Sequence, residues 1–87
     1  MKQVLATEQA PAAIGPYSQG IAAGETVYVS GQLPLDPATG AFPEGIAAQT
    51  AQSLKNIQAI LAQQGMTLAN VVKTTVFLAD INDFAEM

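Results

Sequence analysis

The elements legible in this sequence run three short strands, a helix, a further strand and the start of a second helix, an order that describes a single α+β domain. Three observations carry that reading. Gly24-Glu25 separates two short runs rich in apolar and β-branched residues, the pattern of a tight hairpin. Ile46 to Gln64 repeats apolar residues at helical spacing and stops at a glycine. Val71 to Leu78 is dominated by valine and threonine, residues that suit a pleated, half-buried surface.

Val4 and Leu5 begin a short first strand, which ends in the Ala/Pro segment Ala10-Pro11-Ala12-Ala13. Ile14-Gly15-Pro16 then marks a turn. Tyr17 to Ala23 reads as a strand, the Gly-first pair Gly24-Glu25 turns it, and Thr26-Val27-Tyr28-Val29-Ser30 returns. Alternation puts Val27 and Val29 on one face and Thr26, Tyr28 and Ser30 on the other. Gly31 ends that strand or bulges it. Leu33 to Gly45 is a loop stiffened by Pro34, Pro37 and Pro43, with Asp36-Pro37-Ala38-Thr39-Gly40 as its central turn.

In the helix Ile46–Gln64, the predicted core stripe is Ile46, Leu54, Ile57 and Leu61, completed by Thr50, Ala47 and Ala51. Gln49, Gln52, Lys55 and Gln63 are left for solvent, and Gly65 supplies a left-handed stop. Thr67 caps a single turn over Leu68-Ala69-Asn70. In the strand Val71–Leu78, Val72, Thr74, Val76 and Leu78 face one way and Lys73, Thr75 and Phe77 the other. Asp80, with Asp83 three residues on, caps a helix that has only begun at Met87. A second crossover of this kind normally leads to another strand, so residues 1–87 read as the N-terminal portion of a single longer domain.

Composition narrows the chemistry. The 87 residues hold no Arg, His, Cys or Trp, three lysines and seven acids, for a net charge of −4. There is no thiol nucleophile, no imidazole base and no ordinary zinc ligand set. No bidentate clamp on carboxylate or phosphate can form, and three scattered lysines make a poor binder of nucleic acid. Charged residues are 11% of the chain, under half the roughly 25% of ordinary soluble domains. A small domain with so little charge must leave much of its surface neutral or cover it with other chains, which predicts a homo-oligomer. The apolar run near the N-terminus spans three residues, and no stretch approaches membrane-span length; the expected location is the cytoplasm.

Four segments, in order, resemble one family. Ala12-Ala13-Ile14-Gly15-Pro16-Tyr17-Ser18-Gln19-Gly20 is similar to the IGPYSQ segment of the reactive-intermediate deaminase A (RidA, YjgF) family, and Val29-Ser30-Gly31-Gln32-Leu33-Pro34 to its SGQ(I/L)P segment. Gln49-Thr50-Ala51-Gln52-Ser53-Leu54-Lys55-Asn56-Ile57 resembles its helix signature, and Val71 to Leu78 with Asp80 and Asp83-Phe84 its next strand and helix start. The resemblance implies an α+β, chorismate-mutase-like fold, a mixed sheet with helices packed on one face. It also implies a homotrimer around a central barrel, with pockets at the subunit interfaces.

The activity so implied is 2-iminobutanoate/2-iminopropanoate deamination. Reactive enamine and imine acids released by pyridoxal-phosphate dehydratases are hydrolysed to 2-keto acids and ammonia, with no metal or organic cofactor. Water must add to a C=N carbon that already carries a carboxylate, which calls for a cation, a proton-handling group and a close-fitting pocket. By resemblance Tyr17, Ser30 and Gly31 are the substrate-binding residues: the tyrosine lines the pocket, and the Ser-Gly pair offers a hydroxyl and a backbone N–H. Each also has a plain packing explanation, Tyr17 as an aromatic at a strand start and Gly31 as a bulge glycine. The family's arginine, cysteine and glutamate, and an asparagine opening its next helical stretch, correspond to positions beyond Met87, so no catalytic residue is assigned within this chain and these residues alone are expected to be inactive. Lys73 matches a structural lysine. Two other functions compete: a sensor or chaperone-like protein binding small metabolites in the same pocket, and an endoribonuclease or translation inhibitor, which the lack of His and Arg disfavours.

Overall fold

The computed structural model describes residues 2–87. Three strands, β1 (Lys2–Leu5), β2 (Gly20–Ala23) and β3 (Thr26–Val29), form one antiparallel sheet in the order β1-β2-β3. The helix α1 (Ile46–Ala62) lies across one face, and short 3-10 turns follow at Leu68–Asn70 and Ile81–Asp83. The α+β class is as expected, and every strand pair among the described residues is antiparallel.

The β2–β3 hairpin turns at Gly24-Glu25. Gly24 has φ +61° and, among the described residues, no non-glycine has positive φ, so Glu25 does not; this is the signature of a Gly-first type II′ turn. Register then sorts the side chains. Leu5, Gly20 and Val29 align across the three strands, as do Gln3, Ala22 and Val27. These rows carry the core: Leu5, Ala10, Ala22 and Ile60, with Val27, Val29 and Ala59 packed against it. On the other face Val4, Ile21 and Tyr28 form an apolar row, of which Val4 and Tyr28 are exposed.

α1 can lie close because β2 begins with glycine. A Cβ at Gly20 would stand 2.8 Å from Ile60 Cγ2 and 3.3 Å from the Tyr28 carbonyl oxygen. The helix ends as predicted, with Gly65 at φ +69° and the Met66 N–H donating to Leu61 O. Thr67 caps the following turn, its hydroxyl accepting from Ala69 N–H while Asn70 reaches back to the Thr67 N–H, and Asp80 caps the last one by accepting from Asn82 N–H.

Three expectations are corrected. The strand expected from Tyr17 begins at Gly20, because Tyr17 N–H turns back to Gly15 O and the Ser18 and Gln19 carbonyls accept from Ser30. The buried side of α1 matches the predicted stripe only in part. Leu61 is buried as expected and Ile46, Thr50 and Ile57 are half-buried, whereas Leu54, Ala47 and Ala51 are exposed; Asn56 and Ile60, outside the stripe, are buried, and Gln49 and Gln52 are half-buried. Three strands cover only one flank of the apolar stripe, and the loop after β3 takes the polar flank. Finally, Val71–Leu78 makes no ladder: it has no partner strand among the described residues, and Val72 and Phe77 are 98% and 92% exposed.

Candidate functional site

Tyr17, Ser30 and Gly31 sit where the chain enters β2 and leaves β3. Tyr17 is half exposed, with its ring over the open side of Gly15, whose Cβ position lies 3.7 Å from the ring edge. Ser30 is tied to the segment after Tyr17: its N–H donates to Gln19 O at 3.0 Å, and its hydroxyl donates to Ser18 O. With that hydrogen committed, the Ser30 oxygen is left to accept from a ligand. Gly31 is exposed, and nothing lies within 4 Å of where its Cβ would be, so its backbone is open to close approach.

Beside Tyr17 runs an open groove of about 680 Å³, lined among others by Leu5, Ala10, Pro11, Gln19 and Leu35. Ser30 and Gly31 do not line it. The three residues are therefore brought to the same end of the hairpin, but only Tyr17 faces the groove. Beyond the end of β1, which contributes Val4 and Leu5, both walls of the groove are irregular chain, and each is held by one buried amide.

Gln19 holds the first wall. Its Oε1 accepts from Thr7 N–H at 2.7 Å, and its Nε2 donates towards Thr7 O, Ala10 O and Pro11 O at 3.1, 3.3 and 2.6 Å. Asn56, 0% exposed on α1, holds the second. Its Nδ2 donates to Leu33 O and Leu35 O at 3.0 and 2.9 Å, while its Oδ1 accepts from Gln52 Nε2. Further along, Gln49 Nε2 donates to Pro43 O. Within the second wall the Asp36–Ala41 turn closes as expected, Gly40 N–H donating to Asp36 O and Ala38 N–H to the Asp36 carboxylate.

Gln19 and Asn56 are the only buried polar side chains among the described residues, and neither stood out as functional in sequence. One signal existed for Asn56. An asparagine in the middle of an Ala/Leu/Gln helix is a poor helix former and asks for a tertiary reason. For Gln19 the one signal was its place in the IGPYSQ segment, which assigned it no role of its own.

The three lysines, Lys2, Lys55 and Lys73, are all exposed, and none of them lines the groove. Among the described residues no cationic side chain is placed to meet a carboxylate held at Tyr17. No helix among the described residues is long and apolar enough to cross a membrane.

The sequence model of the family described as endoribonuclease L-PSP matches residues 7–87. The 2-iminobutanoate/2-iminopropanoate deaminase of Salmonella typhimurium is 54% identical over 98% of this chain. Among solved structures, the YjgF gene product of Escherichia coli superposes with a TM-score of 0.92 at 52% identity over 95% of the chain. Escherichia coli TdcF with bound serine superposes with 0.91 at 43% identity over 95%. The chain spans 66% of the length of the Salmonella relative and 65% of each of the two structures.

Proposed function

Because this chain belongs to the endoribonuclease L-PSP family, with RidA and YjgF proteins among its relatives, we propose that the protein hydrolyses 2-iminobutanoate and 2-iminopropanoate. The observation that carries the reading is the 54% identity to a deaminase of that specificity, spread over 98% of the chain. In the reaction, water adds to the C=N carbon and the imine nitrogen takes a proton. The resulting carbinolamine then expels ammonia and leaves the 2-keto acid.

In this reading Tyr17 holds the substrate in the groove and offers its phenolic hydrogen to the imine nitrogen or to the attacking water. Ser30 accepts from a substrate N–H, and the Gly31 backbone lets the ligand approach closely. The carboxylate needs a cation, and the reading draws it from residues corresponding to the third of the relatives' length that this chain does not span; residues 1–87 are then the N-terminal portion of the catalytic domain. No metal or cofactor enters the reaction. The protein works in the cytoplasm, removing imines released by dehydratases.

A homotrimer with interfacial pockets belongs to the same proposal. Support comes from the exposed apolar row Val4–Ile21–Tyr28 on the sheet face that α1 leaves bare, and from Tyr17 and Gly31, open at one end of the hairpin but not joined in one cavity. A pocket completed by a neighbouring copy would join them.

The test is hydrolysis of 2-iminobutanoate, generated in situ, by the full-length protein, run beside cleavage of a single-stranded RNA. Accelerated ammonia release with intact RNA supports the reading. RNA cleavage without imine hydrolysis replaces it with the ribonuclease, and binding of 2-keto acids with neither activity replaces it with a sensor.

A further inference from the structure

We infer that Asn56 is a positioning residue of the candidate site: its buried carboxamide sets the course of the chain that follows Ser30-Gly31 and so fixes one wall of the Tyr17 groove. The catalytic consequence rests on the deaminase reading; the positioning itself does not.

The orientation of the amide is fixed by chemistry. Leu33 O and Leu35 O can only accept, so the NH₂ end of Asn56 faces them and both of its hydrogens are used. Its oxygen then faces Gln52 Nε2, which donates at 3.0 Å. The two carbonyls flank Pro34, which has no N–H, and residues 33–35 lie in no strand. One buried side chain therefore takes the hydrogen-bonding load that a ladder would otherwise carry.

The consequence for the site follows from the tether lengths. Upstream, Ser30 is anchored through its N–H to Gln19 O. Downstream, Leu33 is anchored by Asn56. Only Gly31 and Gln32 lie between, and Gln32 Nε2 closes the short span by donating to Ser30 O. Leu35, the second residue Asn56 holds, lines the groove with Tyr17. Asn56 is itself inaccessible, so it reaches a ligand only through the backbone it holds.

Two substitutions in the full-length protein test this. Asn56→Asp replaces the double donor by an acceptor. If that buried change prevents folding, Gln52→Glu answers the same question from a half-buried position: a carboxylate facing Asn56 Oδ1 favours the flipped amide, which turns oxygen towards both carbonyls. Ile60→Val is the control, a core change on the same helix away from the loop.

Each variant is read by the backbone carbonyl ¹³C chemical shifts of Leu33 and Leu35, the two acceptors of the Asn56 amide, and by KM and kcat for 2-iminobutanoate. Gln52→Glu is expected to move both carbonyl resonances upfield, as loss of a donor does, and to raise KM about tenfold, the equivalent of one lost hydrogen bond. Ile60→Val is expected to leave KM unchanged. Wild-type KM in Gln52→Glu, or an equal rise in Ile60→Val, overturns the positioning role. A wild-type protein inactive on the imine overturns the deaminase reading instead. The positioning of the loop then stands on the carbonyl shifts alone, and unchanged Leu33 and Leu35 carbonyl resonances overturn it.

Discussion

Replacing Gly20 by alanine adds one methyl group where helix and sheet meet. The new Cβ would lie 2.8 Å from Ile60 Cγ2, well inside the roughly 3.5–4.0 Å of a relaxed carbon–carbon contact. Retreat is blocked on both sides. Ile60 is fully buried in the core, and the Tyr28 carbonyl oxygen, 3.3 Å from the added atom, belongs to the neighbouring strand. Overpacking of this kind costs about 1–3 kcal/mol. Alanine offsets part of that by narrowing the unfolded ensemble, worth about 0.4–1 kcal/mol. The expected net loss is about 1–2 kcal/mol.

The assay is urea unfolding of the full-length protein followed by far-ultraviolet ellipticity, at one fixed protein concentration so that assembly does not shift the midpoint. Because the clashing atom is Ile60 Cγ2, its removal should rescue the variant. Ile60→Leu removes the branch at Cβ and with it Cγ2, at a cost of its own below about 1.5 kcal/mol. The Gly20→Ala/Ile60→Leu protein should be more stable than the sum of the single changes by about 1 kcal/mol. A Gly20→Ala protein as stable as wild type refutes the close approach, and strict additivity refutes the assignment of the clash to Cγ2.

Tyr17→Phe keeps the ring over Gly15 and removes only the hydroxyl; kcat/KM for 2-iminobutanoate should fall about tenfold or more with an unchanged urea midpoint, and unchanged kinetics would make Tyr17 a packing residue. Gln19→Leu strands the Thr7 N–H and the carbonyls of Thr7, Ala10 and Pro11, of which only the Ala10 bond is fully buried. With water able to replace the rest, the expected loss is about 2–3 kcal/mol, and a midpoint equal to wild type would show the wall is held by other contacts. Tyr28→Lys places a charge in the Val4–Ile21–Tyr28 row, 64% exposed at the tyrosine. In sedimentation velocity the variant should run as a smaller species with its ellipticity intact, whereas an undiminished assembly counts against that face as the interface.

What could be read from the sequence was what neighbours along the chain decide. The Gly24-Glu25 hairpin, the Asp36–Gly40 turn, the Gly65 stop and the Thr67 and Asp80 caps all close hydrogen bonds over a few residues, and each appears where its residues indicate. Tyr17, Ser30 and Gly31 were proposed by resemblance, and their placement at one end of the hairpin follows from register. Gln19 and Asn56 were missed because their partners lie 8–12 and 21–23 residues away, beyond any local rule.

The two larger misses share a cause. The apolar stripe of α1 is broader than the surface that β1–β3 present, so Leu54, Ala47 and Ala51 are left outside while Ile60 and Leu61 go in. Val71–Leu78 alternates as a strand should, yet has no strand beside it among the described residues, and its valines and Phe77 are exposed. Periodicity reports which surfaces a sequence is patterned to bury, whereas a structure reports which surfaces have found cover. Where the two disagree here they disagree in one direction, towards apolar surface with correct pattern and no partner. The outer row Val4–Ile21–Tyr28 adds a third such surface, on the opposite face of the sheet. In the proposed reading the flank of α1 and the unpaired segment are covered by further sheet within the domain, and the relatives are half as long again as this chain. On the same proposal the outer row, on the face opposite α1, is the surface assigned to neighbouring copies. Low charge alone could not separate those two kinds of cover; the strand register does, because it assigns each apolar residue to a face.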